Sequence, residues 1–318
     1  MSPVSLAVDL AGVRLPSPVL GASGCVGSGR ELLEFLDHRG LGGIVTKSVT
    51  VEPVRGLPTP RMVETPSGML NAIGLQNPGI DEFLRTEARF FAEIDVPVIV
   101  SIAGKSVREY LDVVQGIHQI PGVVAIEANI SCPNVERRNE VFACDPDAAT
   151  EVIAAVARST PLPVFAKLTA DVTDIVEVAR VCIRAGAHGL SLINTMLGMS
   201  IDTETFRPRL AAVTGGLSGP AIRPIAVRAV YQVATAFPET PIIGMGGIRT
   251  AGDAIEFLLA GAWAVAIGTA NYFNPHAMVE VARGVGAFLA ARGLRSPADL
   301  RGRVEVGDEV DEPAYRRG

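Results

Sequence analysis

Eight short apolar, β-prone runs recur along this 318-residue chain, and most are followed by a stretch with helical periodicity. The first four are 18–23 (PVLGAS), 43–48 (GIVTKS), 97–103 (PVIVSIA) and 124–131 (VAIEANIS). The others are 163–169 (PVFAKLT), 188–195 (HGLSLINT), 241–247 (PIIGMGG) and 264–269 (AVAIGT). Each is continuous in apolar character rather than alternating, the pattern of a strand covered on both faces, as in a parallel sheet. Apolar residues spaced near i, i+3 and i+4 mark helices at 107–117, 146–159, 174–185, 222–236 and 251–260. This alternation predicts an α/β fold, a (β/α)8 TIM barrel with inserted active-site loops. A doubly wound parallel sheet is the alternative. No Ser/Gly-rich or Pro-rich linker divides the chain, so residues 1–318 are expected to form a single domain. Connections 49–96 and 196–240 exceed a plain βα loop and are expected to be ordered loops that build an active site.

Composition removes several classes of function. The formal net charge is −6 and no block of Lys/Arg occurs, which argues against nucleic acid and anionic membrane as partners. No run approaches the roughly 20 apolar residues of a membrane span. The opening MSPVSLAVDL lacks the basic and apolar regions of a signal peptide. Four cysteines (Cys25, Cys132, Cys144 and Cys182) form no CxxC pair and no zinc spacing, so no metal is expected and a reducing cytoplasm fits best.

Barrel chemistry gathers at the C-terminal ends of the strands. The eight runs end in Ser23-Gly24, Lys47-Ser48, Ser101, Asn129 with Ser131-Cys132, Lys167, Asn194-Thr195, Gly246-Gly247 and Gly268-Thr269. Every strand thus delivers a polar group or a glycine to one rim. Gly246-Gly247 and Gly268-Thr269, after strands seven and eight, suit a phosphate group, because bare backbone lets N–H groups approach its oxygens, and Gly219 is a third candidate contributor. The competing reading is that these glycines only serve tight turns. Lys47 and Lys167 lie inside apolar runs, where a buried lysine wants an anion. Either of them alternatively reaches solvent, and Lys167 alternatively forms a Schiff base, as in aldolases. Asn71, Asn129, Asn134 and Asn194 offer paired donors and acceptors to a ring bearing NH and C=O groups; for Asn134, beside Pro133, a turn role competes. A lone thiol such as Cys132 is a nucleophile, a proton acceptor or inert packing. Cys25, Cys144 and Cys182 take the inert reading.

Several longer segments carry a resemblance. ASGCVGSG (22–29), GLPTPRMVETPSGMLNAIGLQNPG (56–79), NISCPN (129–134), FAKLTADVTDI (165–175), LINTMLGM (192–199), TGGLSGPAIRP (214–224), PIIGMGGI (241–248) and AVAIGTAN (264–271) together resemble the catalytic subunit of class 1 dihydroorotate dehydrogenases, most closely the NAD-linked class 1B branch. The resemblance implies an FMN-containing (β/α)8 barrel that oxidises dihydroorotate to orotate in pyrimidine synthesis. It implies Cys132 as the base that takes the C5 proton while hydride leaves C6 for flavin N5. A thiol, with its pKa nearer neutrality than a hydroxyl's, suits that task. It implies that Lys47, Asn71, Ala72, Ile73, Gly74, Leu75, Asn129, Asn134, Asn194 and Thr195 hold the substrate. It implies that Ser23, Lys47, Ser48, Ser101, Asn129, Lys167, Ile193, Gly219, Gly246, Gly247, Gly268 and Thr269 hold FMN, with Lys167 near the pyrimidine edge, where positive charge favours the reduced anionic flavin. A homodimer is implied, within a heterotetramer whose second subunit carries FAD and a [2Fe–2S] cluster and reduces NAD⁺. This chain lacks the cysteine spacing for such a cluster.

Three departures from the family pattern are visible. Ser101 stands where relatives usually have Asn, Ala170-Asp171 stands where they have Pro-Asn, and the active-site loop 135–143 reads VERRNEVFA in place of a Gly pair. Competing readings are a related FMN enzyme acting on dihydropyrimidines such as dihydrouracil, a flavin-free binding subunit, and the Schiff-base aldolase. Lys47 suits a carboxylate that dihydrouracil lacks.

Overall fold

The computed structural model describes residues 4–131, the backbone of 133–134 and 140–141, and residues 145–306. All eight apolar runs form strands: β1 (Val19–Gly21), β2 (Gly43–Val45), β3 (Val98–Ile102), β4 (Val123–Asn129), β5 (Val164–Leu168), β6 (Gly189–Leu192), β7 (Ile242–Met245) and β8 (Ala264–Ile267). They pair in parallel in that order, and β8 returns to β1 through Val265 opposite Val19. The sheet is therefore a closed barrel, and the open doubly wound alternative is ruled out.

Closure explains the continuous apolar pattern. On β3, Ile99 faces the barrel interior with Leu20, Val45, Ala125, Phe165 and Ile243, whereas Val98, Val100 and Ile102 belong to the outer core beneath the helices. Both faces are dry, so neither tolerates routine polarity. An N-terminal hairpin, Val8–Leu10 with Val13–Leu15, adds Val8, Leu10 and Leu15 to the interior cluster. It stoppers the end of the barrel opposite the strand ends that carry the polar residues.

The helices form α1 (Ile80–Glu93), α2 (Val107–Ile117), α3 (Pro146–Ser159), α4 (Ile175–Arg184), α5 (Arg223–Ala236), α6 (Ala251–Leu259) and α7 (Ala277–Ala291). Their starts carry local signals. Ser106 accepts from Glu109 N, Asp145 from the N–H groups of Asp147 and Ala148, and Asp174 from those of Val176 and Glu177. Thr250 and Asp253 form a reciprocal capping box on α6.

The two long connections correct the expectation that they are loops. Residues 49–96 contain α1, which buries Ile80, Phe83 and Phe91. The connections also build one antiparallel sheet: Met196–Met199 pairs with Thr214–Ser218, which pairs with Gly68–Asn71, which pairs with Met62–Thr65. Each strand is incomplete without a partner from the other insertion or its own hairpin, so sequence-local pattern did not reveal the sheet.

Candidate active site

A cavity of about 1430 Å³ opens at the C-terminal ends of the barrel strands. Strand ends contribute Ser23, Lys47, Ser48, Asn129, Lys167, Ile193, Asn194 and Thr195 to its wall. The insertions contribute Asn71, Ile73, Gly74, Leu75 and Gly219. Gly246, Gly247, Gly268 and Thr269 close one side. Seven of the eight strand ends read from the sequence thus meet on one surface; the third, at Ser101, does not reach it.

The glycine side is built for close approach. Gly247 has φ 75°, and a Cβ there would meet Gly219 O at 2.7 Å. Gly219 has φ 92° and leads through Pro220–Ile222 into α5, so the start of this 14-residue helix faces the same corner. Backbone of this kind, followed by a helix N-terminus, favours a phosphate. Thr269 Oγ1 donates to Ser218 Oγ at 2.8 Å, which joins β8's end to the inserted sheet.

A polar relay runs from the cavity into its floor. Asn194 Nδ2 donates to Asn129 Oδ1 at 3.4 Å, and Asn129 Nδ2 donates to Ser48 Oγ at 3.2 Å. The Ser48 and Ser101 hydroxyls are 2.9 Å apart, and Ser101 donates to Glu127 Oε1 at 3.1 Å. One proton per hydroxyl then requires Ser48 to donate to Ser101. At the end, Lys167 Nζ lies 3.5 Å from the same Glu127 oxygen. Tyr110 OH steadies Asn129 by donating to its carbonyl at 2.7 Å.

A family model described as dihydroorotate dehydrogenase matches residues 5–289. The chain belongs to the dihydroorotate dehydrogenase family. It is 48% identical over 306 residues to a protein of Geotalea daltonii named "Dihydroorotate dehydrogenase B (NAD(+)), catalytic subunit", covering 96% of this chain and all 100% of the relative. Proteins of the same name from Geobacillus kaustophilus and Desulforudis audaxviator are 50% and 51% identical, each over 94% of this chain and over 95% and 97% of themselves respectively.

Against this dihydroorotate dehydrogenase family membership, most site residues implied by the resemblance meet in the cavity. Ala72 and Ser101 are not among its lining residues. Ala72 packs with Leu70 and Leu210 under the inserted sheet, because alternation along the strand's continuation turns it away from Asn71. Ser101 is fully buried below the cavity, where its shorter side chain serves the relay. Cys132, the Asn134 side chain and loop 135–143 fall outside the described residues. Asp171, the substitution for Asn, accepts from Leu197 N at 2.8 Å and so anchors the start of the inserted sheet.

Sequence reasoning missed two residues here. Glu127 is the buried end of the relay; a carboxylate in the middle of an apolar run carried the same signal as Lys47 and Lys167. Cys25, read as inert, lines the cavity beside Gly268, close to Tyr272, whose hydroxyl donates to Gly24 O at 3.1 Å. Burial pushes its thiol pKa up, against the opposing pull of the Tyr272 hydroxyl and of Lys167 and Lys47. Burial, with Cys25 adding, pushes Tyr272 up to about 12. Among the described residues, no cluster of His, Cys, Asp and Glu is suited to a metal, and no helix is long and apolar enough to cross a membrane.

Proposed function

We propose that this chain is the catalytic subunit of an NAD-linked dihydroorotate dehydrogenase, oxidising dihydroorotate to orotate in pyrimidine synthesis on a bound FMN. The observation that carries the reading is the single cavity that joins a glycine phosphate corner, a buried lysine and a cluster of asparagine amides. Its volume of about 1430 Å³ exceeds the roughly 300–1,000 Å³ of a one-ligand site, which fits a cofactor and a substrate side by side. The residues present fit FMN: the Gly219, Gly246 and Gly247 backbone, where a Cβ at Gly247 would collide, suits its phosphate, and Lys167 on the floor suits its ring system. When bound, FMN supplies the two-electron acceptor for the substrate's C–H bond.

The chain's own groups bind, orient and move a proton. Lys47 offers its ammonium to the substrate carboxylate. Asn71, Asn129 and Asn194 present amides to the ring's alternating NH and C=O groups, while the Asn194–Asn129–Ser48 relay fixes which way the amides of Asn129 and Asn194 point. Ile73, Gly74, Leu75 and Thr195 complete the substrate wall. Cys132, which follows Ser131 in the sequence, takes the C5 proton on its sulfur.

Electrons leave through a partner subunit. The relatives' name designates a catalytic subunit, and the reading extends to a partner bearing FAD and a [2Fe–2S] cluster, in a heterotetramer around a homodimer of this chain. The chain acts in the cytoplasm, and residues 1–318 work as one domain. Extraction and turnover test the reading: about one FMN per chain and faster oxidation of dihydroorotate than of dihydrouracil are expected, and the reverse substrate preference overturns it.

A further inference from the structure

Glu127 is 0% exposed and lies inward on β4, opposite Ser101 on β3 and Phe165 on β5. Its Oε1 receives the Ser101 hydroxyl and faces the Lys167 ammonium, while its Oε2 has no hydrogen-bond partner among the described residues. A buried ion pair of this kind is weak evidence for stability, because desolvation of both ions offsets their attraction. Fold stability alone is therefore a weak account of the pair, and the place of Lys167 in the cavity wall directs attention to what lies above.

We infer that Glu127 is a positioning residue for Lys167, holding its ammonium at the cavity floor and cancelling its charge, so that the flavin rests over a neutral pair and its reduction potential is kept low. This rests on the proposed FMN site and deepens it. A lone ammonium under the pyrimidine edge stabilises the reduced anionic flavin and retains the electrons. Electrons bound for NAD⁺, a weak oxidant, leave more readily from a flavin without that excess cation. The low dielectric of the floor makes one uncancelled charge felt across several ångströms. Ser101, a departure from the family pattern, supplies Glu127 with its hydrogen bond and ties the pair to Ser48, Asn129 and Asn194.

The test is a potentiometric titration of the FMN-loaded chain against a reference dye in wild type, Glu127→Gln, Lys167→Met and the double variant. Glu127→Gln leaves a lone cation, and the reduced-to-oxidised ratio at fixed dye potential is expected to rise about tenfold or more. Lys167→Met leaves a lone anion and lowers the ratio. The double variant restores neutrality and returns close to wild type, and it keeps the test available even if Glu127→Gln does not fold. A Glu127→Gln ratio equal to wild type, or a double variant that tracks Lys167→Met, overturns the inference alone. A wild-type chain that takes up no FMN overturns the proposed function and this inference with it.

Discussion

Asn71 Nδ2 donates to Gly216 O at 3.2 Å, joining two insertions that are 145 residues apart in the chain. The same amide lines the cavity. One side chain thus both closes the inserted sheet and shapes the substrate wall. Replacing Asn71 with Ala removes a hydrogen bond of about 1 kcal/mol and a polar contact to the ring. KM for dihydroorotate is expected to rise about tenfold, with flavin content unchanged; steady-state kinetics and flavin absorbance check this.

Gly247 tests the phosphate corner. A methyl group there lands 2.7 Å from Gly219 O on a backbone with φ 75°. Gly247→Ala is expected to weaken FMN binding by about tenfold or more while the barrel stays folded. Fluorimetric titration of the apoprotein with FMN, alongside circular dichroism, measures both.

Cys132 tests the proton transfer. Cys132→Ala is expected to retain FMN and lose roughly 10²–10⁴-fold in the rate of flavin reduction, with Cys132→Ser in between. Reduction of the alanine variant at the wild-type rate, followed by anaerobic stopped flow, removes the base assignment.

Cys25 reports on occupancy of the cavity. Its thiol pKa is raised by burial, so the reactive thiolate is scarce near neutrality and grows as pH increases. Alkylation by iodoacetamide is expected to accelerate with pH in the apoprotein and to slow when FMN fills the cavity. Peptide mass spectrometry separates this site from Cys132.

Asp253 gives a pH-dependent stability. Burial raises its pKa, but the N–H groups of Arg249 and Thr250, the Arg223 guanidinium and the Thr250 hydroxyl outweigh that and hold it below the usual carboxylate range. A depressed carboxyl contributes stability that is present above its unfolded value of about 4 and lost as pH falls through the folded value. Asp253→Asn is therefore expected to lower Tm at pH 7, and the gap from wild type is expected to narrow at about pH 3.

The barrel was legible because closure leaves both faces of each strand dry, so all eight strands announced themselves as unbroken apolar runs. Helices with side-chain caps, such as those begun by Ser106 and Asp145, were equally plain. Helix α1 was hidden behind a Pro/Gly-rich approach and begins at Ile80 after an N-cap glycine, Gly79, that offers no side-chain cap. The inserted sheet depends on pairing between distant segments, which no local period records. In the site, polar residues at strand ends pointed to the cavity, but the same logic stopped at the rim. Glu127 lies one layer deeper, where a polar side chain reads as part of an apolar run until its partners are seen, and Ser101, legible as a strand end, sits in that buried layer rather than on the rim. Ala72 followed its neighbours in the motif, although strand alternation turns it into the core.

The central claim is tested most directly by anaerobic titration of the purified, FMN-loaded chain with dihydroorotate, following flavin absorbance and orotate formed. The account predicts a yellow protein that bleaches with about one dihydroorotate per flavin and yields an equal amount of orotate. A colourless protein that takes up no FMN, or bleaching by dihydrouracil but not by dihydroorotate, would contradict it.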